Sequence, residues 1–170
     1  MLGQAQARTD AIFELIDLRD YPLPHLDEPA TPSMGQYQNE HTHRWAKKIA
    51  SFDGYVIVTP EYNHSTSGML KNAIDYLYRE WNNKALGFVS YGGTGGTRAV
   101  EHLRLIAGEL QLADVRQQVA LSLITEFENF HVFRPAPSQC GSTGDLVRSG
   151  HGVEPGACTV AAPRVATSSL

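Results

Sequence analysis

Two stretches hold residue types from which a ligand site could be built. One is Pro60-Glu61-Tyr62-Asn63-His64-Ser65-Thr66-Ser67-Gly68, the other Ser90-Tyr91-Gly92-Gly93-Thr94-Gly95-Gly96. Each offers backbone amides and carbonyls, small hydroxyls, and one or two aromatic rings. Neither holds a cluster of strong metal ligands. A planar heteroaromatic ligand needs this mixture, with ring faces for stacking and backbone groups for its polar edge. Glycine at 92, 93, 95 and 96 lets the main chain approach such a plane closely.

Other chemistries are weaker here. No Gly-x-Ser-x-Gly elbow and no Walker loop occurs, which sets hydrolase and NTPase readings aside. The run Tyr91 to Arg98 is not a dinucleotide fingerprint. Counting from Gly93, the spacing gives Gly95 and then Arg98 where a glycine is needed. His41 and His43 lie two apart on an expected helix, so their side chains point about 200° apart and cannot share one ion. Taken alone, Pro60 to Asn63 also reads as an ordinary turn in which Asn63 bonds its own backbone. Glu61 reads as an exposed turn residue, His64 as a substrate contact or a solvated side chain. Arg98 reads either as a contact to a ligand's periphery or as a first-turn helix residue.

The elements around these loops must bring them together. Ala11 to Leu18 alternates as a strand, and a Pro-rich loop follows. Residues 36–51 read as a helix with Trp45, Ile49 and Phe52 inward. Tyr55 to Thr59 is a short buried strand. Ser67 is placed to cap a helix whose inner face would be Met69, Leu70, Ala73, Ile74, Leu77 and Tyr78. Its polar side would carry Lys71, Asn72 and Asp75, facing solvent or a partner subunit. Tyr76, Tyr78 and Trp81 fit either a subunit interface or packing on the chain's own sheet. Leu86 to Tyr91 is another strand, Arg98 to Leu112 a helix, and Val115 to Leu123 a last strand. This rhythm belongs to a parallel α/β sheet, which binds ligands beyond the carboxyl ends of its strands. Both loops follow such ends and are expected on one rim.

Composition is that of an ordinary globular domain. Of 170 residues, 42% are hydrophobic and 19% charged, with a net charge of −4, so no basic footprint points to nucleic acid or an anionic membrane. No apolar run reaches membrane-spanning length. Cys140 and Cys158 form no CxxC pattern, and a reducing cytoplasm is the expected location.

Together, Pro60-Glu61-Tyr62-Asn63, Gly68 to Leu77 and Val89 to Arg104 resemble the NADPH-dependent FMN reductase family, over about residues 11–134. The resemblance implies a flavodoxin-like α/β fold, FMN as cofactor, NADPH or NADH as hydride donor, and usually a homodimer. It implies a small-molecule acceptor such as a free flavin, quinone, azo compound or metal oxyanion. By the same resemblance Pro60, Glu61, Tyr62 and Asn63 pack along the isoalloxazine, and Ser90, Tyr91, Gly92 and Gly93 contact its pyrimidine edge. No side-chain catalyst is implied, since the flavin does the chemistry. A quinone or azo reductase is the narrower alternative. A non-catalytic remnant that no longer holds FMN is the other.

Family members begin with a strand and a phosphate-binding loop that have no counterpart before Ala11. The expectation is therefore an N-terminally truncated reductase domain over residues 1–134. Its sheet would have an open slot between the first strand and Tyr55 to Thr59, with two unpaired edges. Residues 135–170, rich in Gly, Ser, Thr, Pro and Ala, read as a disordered tail.

Overall fold

A computed structural model describes residues 9, 11–134 and 157–161. The elements in chain order are β1 (Ile12–Ile16), α1 (Glu40–Ala50), β2 (Gly54–Pro60), α2 (Gly68–Asp75), β3 (Ala85–Gly92), α3 (Thr97–Glu109), β4 (Ala113–Ser122), β5 (Phe127–Glu128), β6 (Val132–Phe133) and β7 (Ala157–Ala161). Two short 3-10 turns, Leu18–Asp20 and Pro32–Met34, punctuate the loop before α1.

Five strands form one sheet in the order β1-β7-β2-β3-β4, with every neighbouring pair parallel. β2 and β3 run in unbroken register from Gly54↔Ala85 to Pro60↔Tyr91. Parallel strands end on one side, so the segments after Pro60 and Gly92 share a rim, as expected from the sequence.

Alternation along the strands sorts the core into two faces. Tyr55, Ile57, Leu86 and Phe88 join the larger cluster with Trp45 and Ile49 of α1, Leu70, Ala73 and Ile74 of α2, and Val100, Leu103 and Ala107 of α3. Val56, Val89, Val119 and Leu121 form a second cluster with Phe13, Val58, Tyr91, Val115 and Phe127 packed against it. Polar edges of the buried rings are satisfied. The Trp45 indole N–H donates to the Ala73 carbonyl at 2.8 Å, and the Tyr55 hydroxyl donates to the Ile49 carbonyl at 2.7 Å.

Helix ends differ from the sequence reading for local reasons. α1 starts at Glu40 rather than at 36, because the Glu28 carboxylate accepts from the N–H groups of Gln38 and Asn39 and holds them outside the helix. Ser67 does cap α2, its Oγ accepting from the Leu70 N–H at 3.3 Å. α2 ends at Asp75, however, and Met69 is exposed rather than inward. Tyr76 and Trp81 are buried inside this chain, at 0% and 5% exposure, so they pack on its own core. Asn72, half-buried, ties α2 to the loop before α1: its amide donates to the Pro24 carbonyl and accepts from the Leu26 N–H.

The largest departure is β7. The slot expected to stand open between the first strand and Tyr55 to Thr59 is filled by Ala157–Ala161, a piece of the segment read as a structureless tail. β7 pairs with β1 from Ile12↔Ala157 to Ile16↔Ala161, and with β2 from Gly54↔Cys158 to Ile57↔Ala161. A five-residue apolar run between Gly- and Pro-rich flanks shows no readable periodicity. Its selection is made by the two open ladders, whose backbone groups need partners once buried.

Candidate functional site

The first rim loop is built on a tight turn. Tyr62 N–H donates to the Ser65 carbonyl at 2.9 Å, and Ser65 N–H donates back to Tyr62 at 3.0 Å. Between them Asn63 and His64 have φ of 48° and 71°. This left-handed backbone is one that Asn tolerates and His rarely adopts, and the paired bonds hold it. Tyr62 is thereby pushed outward, 61% exposed. Behind the turn, Thr59 Oγ1 lies 2.8 Å from Thr66 Oγ1 and closes the loop's base.

The second loop is wound tightly by two glycines. Gly95 and Gly96 have φ of 76° and 72°. A Cβ on Gly96 would lie 2.7 Å from Ser90 Cβ and 2.8 Å from Tyr91 N, so the loop folds back onto β3 itself. Ser90 locks that fold: its buried hydroxyl donates to the Gly95 carbonyl at 2.7 Å. Gly93 differs, since a Cβ there would meet nothing within 4 Å.

Glu61 ties the two loops together. Its N–H donates to the Tyr91 carbonyl at 3.1 Å. Its carboxylate accepts from the Arg98 backbone N–H at 3.0 Å and from Arg98 Nε at 2.7 Å, with Arg98 Nη2 paired to the same group. The side chain is only 4% exposed, which corrects the expectation of a solvated turn residue. The reason is the start of α3, whose Ncap is Gly96 with no side chain to offer. Glu61 caps the helix from another loop. The hydrogen bonds from Arg98 hold its carboxyl below the ordinary glutamate range, outweighing burial. Arg98 thus stands in the first turn of α3, paired inward, while 45% of its side chain remains exposed.

Of the residues expected at the site, Tyr62, Asn63, Tyr91 and Gly93 present groups at the rim. Pro60 and Gly92 are buried beneath it. Ser90 is the second correction: its side chain is wholly internal. Burial pushes the Tyr91 phenol up to about 12, with the nearby Tyr62 hydroxyl adding to it, so the phenol keeps its proton at neutral pH.

A third segment reaches the rim that the sequence reading did not place there. β5 and β6 form a hairpin in which Phe127 pairs with Phe133, ring centroids 5.1 Å apart. Phe127 lies 6.4 Å from the Tyr91 ring, and Leu123 N–H donates to the Gly92 carbonyl at 3.0 Å. The clustering of Phe127, Phe130 and Phe133 was the available signal. His102 was also missed. It lies four residues after Arg98, and so on the same helical face, with Nδ1 2.8 Å from Ser65 Oγ.

The remaining candidates have ordinary duties. His41 Nε2 pairs with Asp27 Oδ1 at 3.0 Å, and His43 is exposed. Among the described residues no group of three His, Cys, Asp or Glu could hold a metal. A concavity of about 290 Å³ is lined by Tyr21, Pro22, Leu23, Glu40, His41 and Arg44, none of them from either loop. Arg44 there lies over the Tyr21 ring and donates to the Asp20 carbonyl. No helix among the described residues is long and apolar enough to cross a membrane.

The rim fits a flat heteroaromatic group on its own terms. It has an exposed ring at Tyr62, open space above Gly93, and N–H groups at Asn63 and Gly93 that pair with no described residue.

Comparison with known proteins gives the family and the fold. Residues 1–126 match the model of the NADPH-dependent FMN reductase family. An NAD(P)H-dependent FMN reductase of Schizosaccharomyces pombe is 45% identical over 124 residues, covering 72% of this chain and 61% of that protein. An NAD(P)H:quinone oxidoreductase of Solanum tuberosum is 47% identical over 104 residues, covering 59% and 52%. The chain spans about half to three-fifths of the length of the curated relatives it matches first. In fold it is similar to FerB, a flavoenzyme NAD(P)H:(acceptor) oxidoreductase from Paracoccus denitrificans, with a TM-score of 0.65 at 21% identity, covering 86% of this chain and 82% of that one. β1, β2, β3 and β4 keep the places of a flavodoxin-like sheet, and β7, the last strand in sequence, fills the second place, which the first strand holds in that order. By its family match over most of its length, the chain belongs to the NADPH-dependent FMN reductases.

Proposed function

We propose that this protein is an FMN-dependent NAD(P)H oxidoreductase whose flavin lies on the rim formed by residues 60–67 and 91–96. The observation that carries the reading is the meeting on one rim of an exposed Tyr62 ring, open space at Gly93 and main-chain N–H groups that pair with no described residue. When bound, FMN supplies the hydride-accepting and hydride-donating centre. The chain's residues bind and orient. Tyr62 offers a ring face, and the Asn63 and Gly93 amides offer donors to the flavin's polar edge. Tyr91, its phenol protonated at neutral pH, closes the floor, and Phe127 and Phe133 exclude water on that side. Pro60, Ser90 and Gly92 act by holding the loops in shape, and Glu61 by clamping them.

The acceptor in this reading is a small molecule of the quinone class, the chemistry named for the Solanum tuberosum relative. The reading takes residues 1–134 as the reductase domain with β7 completing its sheet, and a homodimer as the assembly, which sedimentation would test. An FMN titration of the full chain tests the site. Saturable binding is expected, weakened on the order of threefold to tenfold in Tyr62→Ala, the loss of one ring contact. Asn63→Gly, which keeps the positive φ and the main-chain N–H, should leave both the affinity and the fold intact. Unchanged affinity in Tyr62→Ala would remove this turn from the site.

A further inference from the structure

We propose that His64, Arg98 and His102 form a subsite for a phosphate group of the nicotinamide dinucleotide, on the α3 side of the rim. The inference rests on the reading of the rim as a flavin site.

The three side chains converge from two elements. His64 sits at the tip of the sealed Tyr62–Ser65 turn, while Arg98 and His102 stand one helical turn apart on α3. Arg98 Nη1 lies 3.2 Å from His64 Nδ1. A guanidinium can only donate, so His64 Nδ1 accepts and the imidazole proton lies on Nε2. His102 Nδ1 is bonded to Ser65 Oγ at 2.8 Å, and the two imidazole centroids are 6.1 Å apart. Each ring therefore has its Nδ1 tied to the protein, while neither Nε2 has a partner among the described residues. All three residues are exposed. The carboxylate in contact with the group, Glu61, lies beneath it at 4% exposure, occupied by Arg98 and the start of α3.

With His102 in the tautomer whose Nδ1 accepts from the Ser65 hydroxyl, the group presents the Arg98 cation and two imidazole N–H donors outward and its carboxylate inward. Such a cluster recognises an anionic oxygen group. Its position chooses the ligand. A dinucleotide whose nicotinamide lies on the rim must carry its charged arm over one flank. The Tyr91–Phe127–Phe133 flank is aromatic, whereas the α3 flank carries these three donors. Cations beside the rim also suit the encounter of a highly charged ligand with a chain of net charge −4.

The test uses the full chain without flavin, titrated calorimetrically with adenosine 2′,5′-bisphosphate and with ADP. The wild type is compared with His64→Gln, His102→Gln and the double variant, and with His43→Gln on α1 as a control. Saturable wild-type binding is expected for at least one nucleotide. It should weaken tenfold or more in the double variant, less in each single variant, and not in His43→Gln. Loss confined to the 2′,5′-bisphosphate assigns the cluster to the ribose 2′-phosphate. Loss with both assigns it to the pyrophosphate arm. Absence of wild-type binding to both nucleotides, or unchanged affinity in the double variant, overturns the subsite. FMN is titrated into the wild type and into His102→Gln, which should agree within twofold because His102 lies outside residues 60–67 and 91–96. Absence of FMN binding to the wild type overturns the flavin reading instead, and the nucleotide titrations still judge the cluster by themselves.

Discussion

Glu61 joins three parts of the molecule: its own turn, the backbone of Tyr91 through its N–H, and the first turn of α3 through its carboxylate. Replacing it by Gln keeps the volume and one acceptor but removes the charge that faces the guanidinium and the helix N-terminus. Glu61→Gln should therefore cost about 1–2 kcal/mol of unfolding free energy, the range for losing a helix cap. The pH dependence carries a sign. Because the folded carboxyl is held below its ordinary value, its contribution is fully present above the unfolded value of about 4.3 and is lost as pH falls through the folded value. Denaturant melts of the wild type should lose stability faster than those of Glu61→Gln in that acid window, with the gap narrowing as pH falls. Parallel loss in both proteins would show that the carboxylate does not act as a clamp.

The glycine loop between β3 and α3 shows why an element cannot be read one residue type at a time. Gly93 and Gly96 are alike in sequence and opposite in the fold. A Cβ at Gly96 would collide with β3 and would also sit at positive φ, whereas a Cβ at Gly93 would point into open space. Gly96→Ala should destabilise the protein by at least about 1–3 kcal/mol, the scale of a non-glycine residue in a strained backbone region. Gly93→Ala should stay within about 0.5 kcal/mol of wild type, as surface changes do, yet reduce FMN affinity by crowding the approach to the loop. Thermal melts and flavin titrations of the pair separate the two roles. A stable Gly96→Ala protein would mean that the loop can relax without its fold onto Ser90 and Tyr91.

For the whole molecule the decisive feature is the place of β7 between β1 and β2. Among the described residues it gives β1 its one strand partner and supplies one of two neighbours to β2. Thr159 stands opposite Glu14 on one side and Tyr55 on the other. Proline at this position would remove an N–H from a strand flanked on both sides, a place sheets do not tolerate. Thr159→Pro should abolish the cooperative melt followed by circular dichroism and promote association through the exposed edges of β1 and β2. A cooperative melt at the wild-type temperature would show that β7 contributes nothing to the sheet's stability.

What was legible in the sequence was whatever repeats or is long enough to announce itself. Helical spacing identified the buried faces of α1, α2 and α3, alternation identified β1, short apolar runs identified β2 and β3, and Ser67 announced its own helix. Parallel strands have fixed ends, so the sharing of one rim by residues 60–68 and 92–97 followed from connectivity. The contacts that close the site were not legible, because each joins residues far apart in sequence. Glu61 to Arg98, His102 to Ser65 and Tyr91 to Phe127 are pairings that no local pattern encodes. The inward turn of Ser90 depends on a loop conformation that only close packing selects. The same holds for β7, since a short apolar segment carries little structure of its own. Its place was decided by the vacant ladders of β1 and β2, and such partners exist only once the rest of the sheet has formed.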